Sequence, residues 1–282
     1  MNYRHAYHAG NHADVLKHIV LARMIEHLKL KETPFRVLDA HGGIGLYELA
    51  SVEAEKTFEW RDGVGRLFAQ DGSAIALADE VEALIAPWRA CVASVNTPGA
   101  LGFYPGSPQI AQDLLRPNDR LRFNELHPVD YETLARRYGR DRRAGVTRLD
   151  ALVFLKSQLP PPERRGLVLI DPPFEKTDEA ERAVRMVSES LKRFSTGVYC
   201  LWYPVTGDGL DRRLRVGVAA PNMLTVQMNV RAAKPDGGLA GSGMLIINPP
   251  WRLEEELRVI LPALCERLTQ GEASWTVESA AP

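Results

Sequence analysis

Apolar residues recur along the chain in two patterns: short runs in which they are continuous or alternate with polar residues, and a helical spacing of three to four residues. The short runs predict buried strands at residues 35–39, 120–125, 145–149, 167–170, 198–203, 223–230 and 243–248. The helical spacing predicts helices at residues 15–28, 46–58, 78–95, 108–115, 129–138, 151–158, 177–194 and 253–268. Alternating strands and helices are typical of an α/β fold with a mostly parallel sheet, here of seven strands.

The segment after the first predicted strand is longer than a simple crossover requires. In a βαβ unit, the acid that binds ribose hydroxyls follows the glycine-rich turn by about 20 residues. Here the best candidate, Glu125, follows Gly45 by 125 − 45 = 80 residues. We therefore predict a main domain of residues 1–45 and 104–282 and a helical insertion of residues 46–103.

Composition gives little support to a membrane protein or a disulfide-stabilised one. No apolar run approaches the roughly 20 residues that span a bilayer, and the first residues lack the apolar core of a signal peptide. The three cysteines, Cys91, Cys200 and Cys265, are widely spaced and form no C-x-x-C motif. We expect a cytoplasmic protein with no metal and no membrane partner.

The charge balance does not by itself indicate a nucleic-acid partner. The chain has 35 basic and 36 acidic residues, for a net charge of −1. Arginines cluster at residues 136–143 and 212–215, but a charge run is more often a solvated helix face. These clusters permit nucleic-acid binding without demonstrating it.

The strand at residues 167–170 ends in Asp171-Pro172-Pro173-Phe174, where open α/β sheets bind ligands. A carboxylate and the Pro172 carbonyl can accept the two hydrogens of an exocyclic amino group, and Phe174 can stack on a flat base. A Pro-stiffened turn with a core phenylalanine is the alternative interpretation. We predict that Asp171, Pro172 and Phe174 are catalytic residues.

The first strand runs into a second candidate site, the sequence D-x-H-G-G-x-G at residues 39–45. The glycines, Gly43 among them, allow a ligand to approach the backbone closely. An acid before the glycines suits the cationic sulfonium and amino groups of S-adenosylmethionine better than a pyrophosphate. A lone glycine-rich turn is weak evidence, so this prediction depends on its neighbours.

Further candidates follow later strands, each with a structural alternative. Ser107 is a natural helix N-cap, or its helix N-terminus faces the carboxylate of the cofactor. Asp150 either accepts from the adenine amino group of the cofactor or caps the next helix, and the small Ala151 leaves room for the adenine ring. Asn248-Pro249-Pro250-Trp251 resembles the 171–174 motif, but we interpret it as a structural exit from the sheet.

Five of the seven histidines lie before residue 28, and this N-terminal region allows three interpretations. His8 and His12 have metal-ligand spacing, but Gly10-Asn11 interrupts a helix there. A polar arm leading into a helix capped near Asn11 or Asp14 is the structural alternative. We favour a helix whose first turn binds ligand and offers Tyr3, Lys17 and His18 to a base, a phosphate or a cofactor, with Lys17 as a candidate substrate-binding residue.

The order of glycine turn, ribose acid, adenine acid and D-P-P-F is the motif order of class I S-adenosylmethionine methyltransferases that act on exocyclic amines. More specifically, the chain resembles the bacterial large-subunit ribosomal RNA methyltransferase J family from its first residues to Pro250. The stretches that carry this resemblance are residues 3–18, 38–42, 104–108, 125–128 and 169–174.

The resemblance implies a Rossmann-like fold and N6-methylation of one adenine in 23S rRNA, before ribosome assembly is complete, by a protein we expect to be monomeric. It implies contact of Tyr3 with the substrate. It also implies cofactor contacts at His18, His41, Ser107, Glu125, Asp150, Ala151 and Asp171. Phe174 departs from the tyrosine of many relatives. A DNA adenine or protein glutamine methyltransferase and a non-catalytic RNA-binding assembly factor are the alternatives.

Overall fold

The computed structural model describes residues 4–176, 178–234 and 238–279. In chain order its strands are β1 Arg36–Asp39, β2 Leu46–Glu48, β3 Phe103–Pro105, β4 Arg120–Asn124, β5 Ala144–Thr147, β6 Gly166–Ile170, β7 Val198–Val205, β8 Met223–Asn229, β9 Gly241–Ile247 and β10 Ser274–Ser279. Its helices are α1 His12–Lys29, α2 Val52–Thr57, α3 Asp79–Ser94, α4 Ser107–Leu114, α5 Pro128–Tyr138, α6 Ala151–Gln158, α7 Glu179–Arg193, α8 Leu210–Gly217 and α9 Leu253–Leu268.

Eight strands form the central sheet in the order β10-β8-β9-β7-β6-β1-β4-β5. The five strands from β7 to β5 run parallel, whereas β9, β8 and β10 join antiparallel at the other edge. The predicted α/β class with a mostly parallel sheet is confirmed. The sheet has one strand more than the seven expected, because β10 pairs with β8 at the edge.

Both faces of the central strands β6 and β7 are buried, which explains their continuous apolar runs. In β6, Leu167 and Leu169 face one apolar layer while Val168 and Ile170 face the other. The first layer contains α1, α3, α4 and α9, and the second contains α6, α7 and α8. The parallel strands are thereby held in the middle of the protein, and their carboxyl ends meet along one edge.

Helix α1 begins after Asn11, one of the two predicted caps. The Asn11 side chain accepts hydrogen bonds from the backbone N–H groups of Ala13 and Asp14. The helix is buried over most of its circumference and packs against α3, α4, α9 and β9. None of the helices in the described ranges has the length and apolar character needed to cross a bilayer.

The predicted helix at residues 46–58 is wrong in its first half. Residues 46–48 form β2, which pairs antiparallel with β3, and the helix begins only at Val52. The predicted helix at 78–95 is confirmed as α3. The β2–β3 pairing brings the two ends of segment 46–103 together, which supports our proposal that this segment is an inserted subdomain.

Candidate active site

One pocket opens at the carboxyl ends of the parallel strands and is lined by the loops that follow β1, β4, β5 and β6. The strand order reverses between β1 and β6, and open α/β sheets bind ligands at such a point. The pocket brings together these predicted site residues: Lys17, His18, His41, Gly43, Ser107, Glu125, Asp150, Ala151, Asp171 and Pro172. Tyr3 lies outside the described residues.

The Asp171 carboxylate, 15% exposed, is held by a buried lysine. Lys17 Nζ lies 2.5 Å from Asp171 Oδ2 and 2.8 Å from Asp14 Oδ1. Burial opposes the charge of Lys17, but the two carboxylates outweigh it and raise the pKa of this lysine above its usual value. Asp14 is fixed in turn by His5 Nε2 at 2.9 Å and by the Gly10 N–H group. One ammonium thus orients a carboxylate 154 positions away in the sequence.

The backbone of the D-P-P-F loop is fixed by a neutral histidine. The Asp171 N–H group donates to His41 Nδ1 at 3.2 Å. Burial lowers the pKa of His41 to about 4, so the ring is neutral at pH 7 and its nitrogen is free to accept. His41 therefore connects the glycine-rich turn after β1 to the loop after β6.

Phe174 is placed differently from Asp171 and Pro172, because it does not line the pocket. Its backbone adopts a left-handed conformation with φ of 51°, which a non-glycine residue adopts only when its surroundings require it. The Phe174 and Trp202 ring centroids are 6.1 Å apart, and Lys17 Nζ lies 5.6 Å from the Trp202 centroid. Phe174 and Trp202 thus form an aromatic pair beside the carboxylate.

Glu125 is half-buried directly after β4 and closes the glycine-rich turn. Its carboxylate accepts from the N–H groups of Gly43 at 2.9 Å and His127 at 2.8 Å, while burial raises its pKa. Gly43 has φ of +58°, and a Cβ there would lie 2.1 Å from the Tyr47 hydroxyl. Only glycine fits at this position, and the turn keeps its backbone exposed to a ligand.

Asp39 supports the pocket from behind and does not line it, contrary to the expectation that this acid faces a cationic ligand. Its carboxylate accepts from Ser107 Oγ at 2.6 Å and from the His41 N–H group at 3.1 Å. Burial raises the pKa of Asp39 to about 6. The acid therefore positions two pocket residues.

Asp150 is the N-cap of α6, as its structural alternative predicts. Its Oδ1 accepts from the N–H groups of Leu152 and Val153, and its Oδ2 accepts from Arg182 at 2.9 Å. Asp150 also lines the pocket next to Ala151, so capping and facing the pocket are compatible. The ion pair with Arg182 was not predicted, because Arg182 lies on a helix 32 residues away.

Two further supports of the pocket were missed in the sequence. Asn124 is buried and joins three strand ends: its amide donates to the Ala40 and Leu149 carbonyls and accepts from the Leu149 N–H group. Tyr104 in β3 lies with its hydroxyl 2.9 Å from His18 Nδ1, and burial lowers the pKa of His18 to about 3. The sequence signal for Asn124 was its place as the last residue of a predicted strand, next to the candidate ribose acid.

The histidine-rich start and the second Pro-Pro motif have other partners. His8 pairs with Glu59, and within the described ranges no group of three or more His, Cys, Asp or Glu side chains is placed to bind a metal. The Asn248 amide donates to the carbonyls of Ser195 and Gly197, each at 2.8 Å, which fastens the end of β9. Trp251 is 84% exposed and lies outside the pocket.

Comparisons with known proteins agree along almost the whole chain. A family model described as "Ribosomal RNA large subunit methyltransferase D, RlmJ" matches residues 32–280. A protein named Ribosomal RNA large subunit methyltransferase J from Haemophilus influenzae is 43% identical over 287 residues, covering 100% of this chain and 99% of the relative. The protein of the same name from Escherichia coli is also 43% identical, over 285 residues that cover 98% of this chain and 99% of the relative.

Among solved structures, protein LPL1258 from Legionella pneumophila is similar to this chain over nearly the whole length of both proteins. The TM-score is 0.86 at 30% sequence identity, and the match covers 96% of this chain and 98% of that chain. The likeness therefore includes the inserted segment as well as the central sheet.

Proposed function

The chain belongs to the ribosomal RNA large subunit methyltransferase J family, and on that premise we propose that it methylates N6 of one adenine in 23S rRNA with S-adenosylmethionine as donor. The observation that carries the proposal is the end of β6, where a carboxylate and a proline carbonyl lie together in the pocket. A DNA adenine or protein glutamine methyltransferase and a non-catalytic RNA-binding factor are the alternatives.

The donor set of the pocket suits this cofactor, which when bound supplies an electrophilic methyl group on a cationic sulfur. We assign Glu125 to the ribose hydroxyls and Asp150 with Ala151 to the adenine end. Both acids are fixed by backbone N–H groups and still line the pocket. Gly43 leaves backbone exposed for close approach. We assign the remaining cofactor contacts to His18, His41, Ser107 and Asp171.

Asp171 and Pro172 would act on the target amino group. Lys17 occupies Asp171 Oδ2, whereas Oδ1 and the Pro172 carbonyl have no hydrogen-bond partner among the described residues. These two acceptors can take the two hydrogens of N6 and favour the pyramidal nitrogen that forms in the transition state. The lone pair of N6 would then be withdrawn from conjugation with the ring and would be available to accept a methyl group.

Direct transfer requires no covalent protein intermediate, and the cysteines support this. Cys91, Cys200 and Cys265 are buried, and none of them lines the pocket. Burial raises the pKa of Cys91 to about 12 and that of Cys265 to about 11, so neither is an activated nucleophile. The excess proton leaves N6 after transfer, with Asp171 as its nearest acceptor.

We further propose that the enzyme acts as a monomer, in the cytoplasm, on rRNA that is not yet fully assembled. An adenine must leave its stack to reach a carboxylate that is only 15% exposed. Unstacking costs less in RNA that is not yet packed in a subunit.

The proposal is tested by incubating the protein with labelled S-adenosylmethionine and unmodified 23S rRNA, duplex DNA or cellular protein. We expect label in rRNA alone, at adenine N6. Asp171→Ala should lower the rate at least a hundredfold with an unchanged far-ultraviolet spectrum, because Asp171 lies at a strand end. Glu175→Ala, an exposed acid in the same loop, is the matched control.

Label in DNA or protein instead of rRNA would establish one of the alternatives. Absence of transfer to every substrate would support the non-catalytic alternative. A rate for Asp171→Ala within tenfold of the parent would remove the role assigned to Asp171.

A further inference from the structure

The outer edge of the sheet beside the pocket carries exposed arginines without acidic partners. This surface, which we name the arginine edge, consists of Arg136, Arg137, Arg140, Arg142 and Arg148. Within the described residues, none of the five forms an ion pair or hydrogen bond with another side chain. Arg148 lies over an aromatic face, with its guanidinium carbon 5.9 Å from the Tyr131 ring centroid.

The local charge differs from that of the whole protein. Residues 131–148 contain six arginines and two acids, Glu132 and Asp141, for a net charge of 6 − 2 = +4, whereas the whole chain carries −1. The sixth arginine, Arg143, is already neutralised by Asp141 at 2.8 Å. Uncompensated like charges on one surface repel each other, and an anionic partner relieves that repulsion.

The second arginine cluster of the chain, residues 212–215, has a different environment. Arg213 lies 3.9 Å from Asp208, and Arg215 lies 3.1 Å from Asp211 and 3.6 Å from Glu278. Acids therefore compensate two of its three arginines. The sequence alone did not distinguish the two clusters, but their ion pairs do.

The arginine edge begins at the mouth of the pocket. Arg148 is two residues before Asp150, and its aromatic partner Tyr131 follows Asp130; both acids line the pocket. Helix α5 leads from there away from the mouth, and Arg137 lies six residues beyond Tyr131, about 9 Å along the helix axis. Thr133, Arg136 and Arg137 border one shallow depression on its outer face.

We propose that the arginine edge binds the phosphate backbone of the RNA strand whose base enters the pocket. This inference rests on the proposed function and specifies where the substrate lies outside the pocket. Guanidinium groups bind phosphate oxygens in a planar fork, and such contacts set the position of the strand without reading its sequence. A row of them leading to the mouth fixes which nucleotide is presented to Asp171.

The test compares two variants of the full-length chain. The triple variant carries Arg136→Ala, Arg137→Ala and Arg140→Ala, and the control, the 212/213 variant, carries Arg212→Ala and Arg213→Ala. All these side chains are exposed, so both variants should fold like the parent. The probe is an unmodified transcript of 23S rRNA, with binding followed by fluorescence anisotropy between 50 and 300 mM KCl, a range of about sixfold in ionic strength. S-adenosylmethionine affinity, measured by calorimetry, is the control for an intact pocket.

We expect the triple variant to bind the transcript about tenfold more weakly at 0.1 M salt. The slope of log K against log salt should fall by about two to three, close to one per lost phosphate contact. Cofactor affinity should not change, and the 212/213 variant should bind RNA within about twofold of the parent. An equal loss in both variants, or an unchanged salt slope in the triple variant, would overturn the proposal.

The same samples separate this inference from the proposed function. If the parent methylates rRNA and the triple variant has an unchanged KM for rRNA, the arginine edge is not the RNA surface although the enzyme assignment stands. If the parent methylates no rRNA but the triple variant loses its salt-dependent RNA affinity, the surface stands and the proposed function fails. If the arginine edge instead captures an acidic protein, RNA affinity will be unchanged in the triple variant, which also overturns the proposal.

Discussion

Glu125 both organises the glycine-rich turn and, in our proposal, binds the ribose of the cofactor. Hydrogen bonds to a charged group contribute about 1.5–3 kcal/mol each. Glu125→Ala should therefore weaken S-adenosylmethionine binding at least tenfold while changing RNA affinity much less. Titration calorimetry with the cofactor measures this, with Glu181→Gln on exposed α7 surface as the control. Cofactor affinity equal to that of the parent would require a different ribose acid.

Phe174 provides a test of the aromatic pair beside the carboxylate. Loss of one stacking face costs about 1–3 kcal/mol of base binding, so Phe174→Ala should raise the KM for rRNA roughly 5- to 150-fold. Phe174→Tyr keeps the ring in the same left-handed backbone conformation, and its kinetics should match the parent within a few-fold. A severe loss in the tyrosine variant, or none in the alanine variant, would contradict stacking as the role of this ring.

Single residues were predictable from the sequence where a residue type and its position at a strand end coincide. Asp171 was found because it ends an apolar run, and Glu125 because it is the acid at the end of the next suitable predicted strand after the glycine-rich turn. The partners that hold them were not, since Lys17 and Asp171 are 154 positions apart and no local pattern connects them. The sequence marked Asp39 as an acid that precedes the glycine-rich turn. Only the structure shows that its carboxylate accepts hydrogen bonds from Ser107 and His41 behind the pocket.

At the scale of elements, a buried ion cluster fastens α9 to α1. Glu256, whose side chain is 9% exposed, accepts from Arg23 at 2.8 and 2.9 Å and pairs with His27 at 2.9 Å. Burial opposes its charge, but the two basic partners lower the pKa of Glu256 to about 2. This cluster is the main polar contact between two helices of the same apolar layer.

Glu256→Gln should lower the free energy of unfolding by about 3 kcal/mol, because it leaves the largely buried guanidinium of Arg23 without its counter-charge. The neighbouring Glu255→Gln changes a side chain that is 68% exposed and should cost less than about 0.5 kcal/mol. Denaturant unfolding of both variants followed by circular dichroism measures the difference. Equal midpoints for the two variants would mean that the cluster contributes nothing to stability.

Elements were predictable where burial on both faces or a clear helical spacing marks them, as in β6 and α9. The β2–β3 pair was missed because Leu46 and Leu49 fit a helical spacing, whereas β2 is stabilised by a strand more than 50 residues away. Strand β10 was missed because only Val277 among its six residues is buried. Short strands at an edge carry too few apolar residues to be recognised without their partners.

At the scale of the whole molecule, buried neutral histidines make stability depend on pH. Burial lowers the pKa of His12 and His41 to about 4 and that of His18 to about 3. At any pH between its lowered pKa and its usual pKa near 6.5, each of these histidines takes up a proton when the protein unfolds. Because the unfolded state binds more protons in this window, these groups reduce stability as the pH falls.

Other groups act in the opposite direction and reduce the net effect. Burial raises the pKa of Asp39 to about 6 and also raises that of Glu125, so the folded state holds protons on these acids that the unfolded state releases. The hydrogen bond to Glu59 raises the pKa of His8, but near pH 5 this histidine is protonated in both states.

We therefore expect a net uptake of about one to two protons on unfolding near pH 5. The free energy of unfolding should fall by roughly 1–3 kcal/mol per pH unit there and change little between pH 7 and 8. Urea denaturation at pH 5, 6, 7 and 8 measures this slope. Stability that is constant or rises from pH 6 to pH 5 would show that the histidines are not held neutral in the folded protein.

The packing of α1 also has a consequence for the order in which the protein is made. This helix is synthesised early, yet it packs on β9 and α9, which begin only at Gly241 and Leu253. The part of its apolar surface that these two elements cover stays exposed until the ribosome has translated them, a delay in which a nascent chain is prone to aggregate. Because α1 brings Lys17 and His18 to the pocket, a half-translated chain also lacks the packing that holds these two residues in place there.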